Sequence, residues 1–308
     1  MKVAIAVHGG AGTILKEHMT SDKERAYHHA LETAIKAGHG VLENGGSALD
    51  AVEKAVVELE NTPLFNAGKG SVFTSVGTHE MDASIMDGRG LRAGAVSMVS
   101  GVKNPVSLAR LIMEKSQHVF LVGTGAEAFA KSMNCEFENP DYFYDEFRYQ
   151  QWQEVKGTEQ TQLDHTEIRD KKFGTVGAVA LDKHGNLAAA TSTGGMTNKR
   201  FGRIGDSSII GAGNYANNST CAISCTGSGE FFIRGVVAYD ISCLMEYKGM
   251  TLAQACEEVV HHKLKKIGGD GGLIGIDREG NLTLTFNTEG MYRASINTEG
   301  TKLIEIYR

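Results

Sequence analysis

Only three prolines stand against 38 glycines in this 308-residue chain. Few rings lock the backbone, and many positions must turn tightly or pass close to another group. Long apolar runs are lacking too. None approaches the ~18 residues that a membrane-spanning helix needs, and the opening MKVAIAVHGG offers only about six apolar residues before His8, too few for a secretion signal. Basic excess is also missing: 31 Lys and Arg face 37 Asp and Glu, a net charge of −6, which argues against a phosphate-binding surface and for a small-molecule substrate. Five cysteines are an odd number, so they do not make a disulfide framework; reduced thiols in a cytoplasmic protein are expected. Cys221 and Cys225 lack metal-ligand spacing, and the alternation in CAISC reads as a buried strand. No repeat or low-complexity tract is visible.

What is present is an ordinary globular balance, 41% hydrophobic and 22% charged, enough to bury a core within one domain. Val3 to Val7 reads as a buried strand. Ser21 with Glu24 has the spacing of a helix cap, and a helical apolar pattern follows as far as Gly45-Gly46. Ser47 with Asp50 caps a second helix before Pro63. DASIMD and GAVSMV form a hairpin around Gly88 and Gly90. A short helix begins at Pro105, and a strand runs from His118 to Val122. From about Glu138 the chain is polar and poor in aliphatic residues, and residues 157–174 are expected to be a mobile linker. Two strands follow in hairpin, Thr175 to Leu181 and Leu187 to Thr193. Further strands are expected at Ser208 to Ile210, at Thr220 to Cys225 and in the last forty or so residues, with helices from about Gly229 to Glu246 and from Thr251 to Leu264. Strands grouped in hairpins imply mostly antiparallel sheets with helices outside them, a layered α/β sandwich.

The chemistry centres on Gly174-Thr175. A threonine hydroxyl is a weak nucleophile without a positioned base, and the α-amine of an N-terminal threonine supplies one within the same residue, titrating near 7.7–8. An internal threonine gains that amine only if the bond before it is cut. Gly174 ends a polar linker and Thr175 opens an apolar strand, so an N→O shift onto the Gly174 carbonyl is conceivable there. Taken alone, the dipeptide is more simply a linker end and a strand start. Thr193 in STGG and Thr226 in SCTGSG also end apolar strands beside glycine, so three hydroxyls could meet at one sheet end. Thr226 further precedes Gly227-Ser228-Gly229 and a helix start, where free N–H groups could hold an anion. Arg203 and Asp206, in Gly202-Arg203-Ile204-Gly205-Asp206, could clamp a carboxylate bidentately and hold an ammonium; a solvated loop is the plainer alternative.

These motifs resemble the plant-type asparaginases, also called isoaspartyl peptidases, of the N-terminal nucleophile hydrolases. The resemblance covers nearly the whole chain: HGGAG at His8, PLFNAGKG at Pro63, GTVGAVALD at Gly174, TSTGGMTNK at Thr191, then GRIGD, GAGNYAN, SCTGSGE and FNTEGM. It implies a four-layer αββα sandwich, self-cleavage into an α subunit (1–174) and a β subunit (175–308), and an (αβ)₂ assembly. It implies Thr175 as nucleophile toward asparagine and β-aspartyl dipeptides, with Thr193 and Thr226 as hydroxyl partners, Gly227 as oxyanion donor and Asn66 in support. Substrate would contact Arg203, Ile204, Gly205, Asp206, Thr226, Gly227, Ser228 and Gly229. A sodium ion would be held by backbone carbonyls of Leu59, Glu60, Thr62, Phe65, Ala67 and Lys69, with no cofactor needed for catalysis. His8 reads as structural, since the α-amine fills the base position, and His261-His262 as a surface pair. Two alternatives stand beside this reading: an amidase of the same fold acting on glycosylated asparagine, and a non-catalytic glycine-rich binding protein. HGGAG lacks the GxGxxG pattern of dinucleotide binding.

Overall fold

The fold is seen in a computed structural model, which describes residues 2–159, 161 and 174–308. Its strands are β1 (Ala4–Gly12), β2 (Met81–Asp87), β3 (Arg92–Val99), β4 (Phe120–Val122), β5 (Val176–Leu181), β6 (Leu187–Thr193), β7 (Asn214–Ala216), β8 (Cys221–Gly227), β9 (Gly271–Asp277), β10 (Leu282–Phe286), β11 (Gly290–Ile296) and β12 (Lys302–Tyr307). Helices are α1 (Ser21–Glu43), α2 (Ala48–Glu60), α3 (Pro105–Lys115), α4 (Gly123–Ser132), α5 (Pro140–Phe143), α6 (Glu146–Val155), α7 (Gly229–Gly235), α8 (Val237–Lys248) and α9 (Leu252–Glu257). After α9 the chain continues through a wider helical segment, Glu258–Leu264.

Eight strands form one sheet in the order β12-β11-β1-β5-β6-β2-β3-β4, and four form a second, β10-β9-β8-β7. Every pairing is antiparallel except β3 with β4. Helices α1 to α3 cover the outer face of the large sheet, the small sheet covers its inner face, and α8 and α9 cover the small sheet in turn. The αββα sandwich expected from the sequence is what forms. Period-two alternation makes it possible: Ile5, Val7, Ala178 and Ala180 point to the helices, while Ala4, Ala6, Val179 and Leu181 point to the second sheet. Both faces of β1 and β5 are therefore buried, which is why they read as unbroken apolar runs.

The caps refine the expected boundaries. Ser47 and Asp50 make the full reciprocal capping box at α2, whereas α1 is capped by Thr20, one residue before Ser21, through its bond from Lys23 N. The single helix expected from Gly229 to Glu246 is two, broken at Val236, whose φ is +46°. Ser208 to Ile210 is not a strand, and only Ile210 forms an isolated bridge, to Asn214; β7 lies just beyond it. Residues 140–155 hold α5 and α6, which the shortage of aliphatic residues hid. Their packing is aromatic: Phe143 and Trp152 are buried, and Trp152 stacks on Phe73 with ring centroids 5.5 Å apart. Of the expected linker, residues 160 and 162–173 lie outside the described residues. Gly174, placed at its end, is buried. Cys221, Cys225 and Cys256 are buried free thiols, as expected, and burial raises the pKa of each.

Candidate active site

Thr175 stands at the mouth of β5, 8% exposed. Its neighbour in space is Thr193 at the end of β6, because β5 and β6 pair in a register that sets Val176 opposite Ser192. The Thr175 hydroxyl donates to Thr193 Oγ1 at 3.1 Å, and Thr193 Oγ1 also accepts the Gly195 N–H at 3.0 Å. The carbonyl just before Thr175 is held as well: Gly174 O accepts the Asn66 N–H at 3.0 Å. Asn66 spends its remaining groups on the same corner. Its Nδ2 donates to Gly195 O at 2.7 Å, its Oδ1 accepts from Val72 N at 3.1 Å, and its carbonyl accepts from Gly194 N at 2.9 Å. One asparagine thus locks the Gly174 carbonyl to the loop that orients Thr193.

Behind Thr175 lies His8, wholly buried in β1. Its Nδ1 is 3.0 Å from Thr175 O, and since a carbonyl only accepts, that nitrogen carries the proton. Nε2 then accepts from Ser224 Oγ at 2.9 Å, and Ser224 is bonded in turn to Thr191 at 2.7 Å. Burial pulls the His8 pKa down to about 3, more than its bond to Thr175 raises it, so the ring stays neutral. It fixes the backbone of Thr175 and has no nitrogen left for the hydroxyl. Gly177 makes this contact possible: a Cβ there would sit 2.0 Å from Ser224 Oγ and 2.4 Å from His8 Nε2. Ser224 and Thr191 were not singled out in the sequence; their inward phase on β8 and β6 was the available signal.

Thr226 does not share the sheet end with the other two threonines. It closes β8 in the second sheet, and its hydroxyl accepts from Ala11 N at 3.4 Å. The helix that follows, α7, is only seven residues long and starts at Gly229, which removes the argument from a long helix terminus. Gly227 nonetheless reaches the pocket, which is lined by Gly174, Thr175, Thr193, Gly195, Met196, Arg203, Gly205, Asp206, Ser207 and Gly227. Among the expected contacts, Ile204 is half-buried outside this lining, and Ser228 Oγ is bonded to Asp270. Gly229 stands beside Arg203 and Asp206.

Arg203 and Asp206 do meet at the pocket, against the surface-loop alternative. Asp206 is buried, 4% exposed, and its Oδ2 has no hydrogen-bond partner. Burial raises its pKa to about 7, outweighing its own backbone bond and the Arg203 charge. A buried carboxylate oxygen without a donor costs stability unless a ligand supplies one. Arg203 is already engaged, through Nε and Nη2, by both oxygens of Glu230 at 2.8 and 2.9 Å. Glu230 lies 27 positions beyond Arg203, and no periodicity or spacing in the sequence pairs the two.

Glu60 is another buried acid near the site, with its pKa raised to about 7 by burial. It accepts from Ser192 Oγ (2.6 Å), Val106 N (3.0 Å) and Asn104 Nδ2 (3.1 Å), tying the end of α2 to β6 beside Thr193. The loop after it was expected to hold sodium. A Cβ on Gly68 would lie 2.4 Å from Glu60 O, and one on Gly70 would lie 2.1 Å from Phe65 O and 2.6 Å from Pro63 O. Carbonyl oxygens of two expected ligands thus crowd onto one glycine turn. The Lys69 ammonium sits 5.2 Å over the Tyr142 ring, away from that turn. Backbone carbonyl oxygens are the hard donors that a sodium ion takes. Among the described residues, no group of three or more His, Cys, Asp or Glu is arranged to hold a metal. His261 and His262 lie on the segment after α9, partly and largely exposed.

Among the described residues no helix is long and apolar enough to cross a membrane. A sequence model described as asparaginase matches residues 1–306. The chain is 54% identical to an isoaspartyl peptidase of Salmonella typhimurium, covering 100% of this chain and 99% of that protein. It is 42% identical to the isoaspartyl peptidase/L-asparaginase of Homo sapiens (94% and 92% covered) and 40% identical to a probable isoaspartyl peptidase/L-asparaginase of Arabidopsis thaliana (99% and 98% covered). Matched along nearly its whole length, the chain belongs to the asparaginase family.

Proposed function

We propose that the protein is a threonine amidohydrolase, which cuts its own Gly174–Thr175 bond and then hydrolyses the side-chain amide of L-asparagine and the isopeptide bond of β-aspartyl dipeptides. The observation that carries this is the pairing of the Thr175 hydroxyl with Thr193 beside the Gly174 carbonyl, itself bonded to Asn66 N. In maturation, Thr175 Oγ1 attacks the Gly174 carbonyl carbon, and the Asn66 N–H stabilises the charge gathering on its oxygen. The C–N bond breaks as an ester forms, and the proton lost from Oγ1 ends on the departing Thr175 nitrogen. Water then cleaves the ester, leaving a Gly174 carboxylate and a free Thr175 α-amine.

In turnover that amine takes the hydroxyl proton, and Oγ1 attacks the β-carbonyl of the substrate. The Gly227 N–H and the Thr193 hydroxyl would stabilise the oxyanion, a role supported by both residues lining the pocket with Thr175. The leaving amine departs with the proton as ammonia or as an amino acid, and water releases aspartate from the ester. The buried Asp206 carboxylate, which lines the pocket, suits the substrate's α-ammonium, and Arg203 suits its α-carboxylate. The Leu59, Glu60, Thr62, Phe65, Ala67 and Lys69 carbonyls would hold sodium, which shapes the loop leading to Asn66 and takes no part in the reaction. An (αβ)₂ assembly and a cytoplasmic location complete the proposal on the strength of the family.

Incubating purified protein with L-asparagine and with β-aspartyl-leucine tests the substrate class. Release of aspartate from both is expected; release only from N-glycosylated asparagine would refute it. For the ion, a higher melting temperature in sodium chloride than in choline chloride at equal ionic strength is expected.

A further inference from the structure

A guanidinium has two forks that each match a carboxylate: Nε with Nη2 along its side, and Nη1 with Nη2 at its end. In Arg203 the side fork is filled by Glu230, with both bonds under 3 Å. Among the described residues, Nη1 makes no hydrogen bond, while Nη2 has a second N–H beyond the one given to Glu230. Built Cβ atoms on Gly205 and Gly229 would come to 3.1 Å from Nη1 and 3.1 Å from Nη2 respectively, and the Gly229 one would also touch Asp206 Oδ1 at 2.9 Å. Two glycines thus flank the end fork beside the buried Asp206 carboxylate, and Arg203, Gly205 and Asp206 all line the pocket.

We infer that Glu230 is a positioning residue for substrate binding: by occupying the side fork of Arg203, it presents the end fork to the substrate's α-carboxylate. The inference rests on the reading of Arg203 as that carboxylate's anchor. Two effects of Glu230 oppose each other. Its negative charge weakens the pull of Arg203 on an anion, while its bonds hold a long, flexible side chain in one geometry. The side chain of Glu230 is 54% exposed against 19% for Arg203, so solvent screens the repulsion, and the ordering effect dominates. Substrate bound to an ordered fork avoids the cost of fixing Arg203 at each binding event.

The test compares Arg203→Gln, Glu230→Gln and Glu230→Asp in the full chain. Each variant is first checked for two-fragment maturation, and kcat and KM are then measured for L-asparagine and for its α-carboxamide analogue, which lacks the carboxylate. Glu230→Gln is expected to raise KM for asparagine about tenfold with a smaller change in kcat, and to narrow the preference for asparagine over the analogue. Glu230→Asp, still charged but shorter, is expected to fall between. If Arg203→Gln raises KM and erodes that preference while Glu230→Gln does neither, the role given to Glu230 is wrong and that of Arg203 stands. If Arg203→Gln leaves both unchanged, the anchor itself is misassigned and the inference falls with it.

Discussion

The two walls of the pocket are built differently. On the wall that carries Thr175, the groups that touch the threonine are matched: His8 uses both nitrogens, Asn66 uses its side chain and backbone, and Thr193 Oγ1 takes two partners; farther along the same sheet, Asp82 opposite Thr193 keeps one oxygen without a partner. On the opposite wall, Asp206 Oδ2 and Ser207 Oγ are buried without partners, and Arg203, with Nη1 unbonded among the described residues, lines the pocket. The difference separates two tasks. A nucleophile must be held before any substrate arrives, so its immediate neighbours are fixed by internal bonds. A recognition wall must keep its strongest groups for the ligand, and the fold is less stable for it.

The largest expected effect comes from the nucleophile's wall. Thr175→Ala should leave one unbroken band on a denaturing gel and lower asparagine hydrolysis about 10⁴-fold or more, because it removes nucleophile and base together. Asn66→Pro would delete the one N–H on the Gly174 carbonyl but would also disturb the loop, so Asn66→Ala, which keeps the N–H, is the sharper probe. It is expected to retain slow maturation, read as the fraction cleaved with time.

Asp206→Asn should move activity and stability in opposite senses. Loss of a buried charge facing an ammonium is expected to cut kcat/KM about 10²–10³-fold. Stability should move the other way. The folded pKa of about 7 lies above the ordinary 3.8, so the fold favours the protonated acid. The cost of ionising it grows as pH rises from about 4 to 7 and is complete above 7. Asp206→Asn should therefore melt higher than wild type at pH 8 and differ little at pH 4, as read by thermal scans. By the same shift, kcat/KM of the wild type should rise with pH through about 7, where Asp206 becomes a carboxylate.

Glu60→Ala is expected to cost about 2–4 kcal/mol of stability, measured by denaturant unfolding, because Ser192, Val106 and Asn104 each lose a buried acceptor. Its effect on kcat should be smaller than that of any change at Thr175. An equal loss at both would mean that the support under β6 is itself part of the chemistry.

The sequence was most legible where the signal is local. Ser47 and Asp50 announce α2, and the period of β5 and β6 announces a buried hairpin whose ends bring Thr175 and Thr193 together. It was least legible where aromatic rings replace aliphatic stripes, as in α5 and α6, and where partners are far apart in the chain. His8 meets Ser224 across 216 positions, and no periodicity encodes that. Thr226 shared a motif with Thr193 yet ends a strand of the other sheet, because a threonine beside glycine marks a strand end without saying which sheet it belongs to. The roles of Thr175, Arg203 and Asp206 came from chemistry and from the family motifs; the internal bonds around Thr175 and the unpartnered groups of the opposite wall became visible only in three dimensions.

The central claim concerns the bond between Gly174 and Thr175, and the most direct measurement is the intact mass and N-terminal sequence of each fragment in purified, active protein. Two fragments are expected, the smaller beginning Thr-Val-Gly-Ala-Val from Thr175. A single uncut chain with full activity, or an active fragment beginning at another residue, would contradict it.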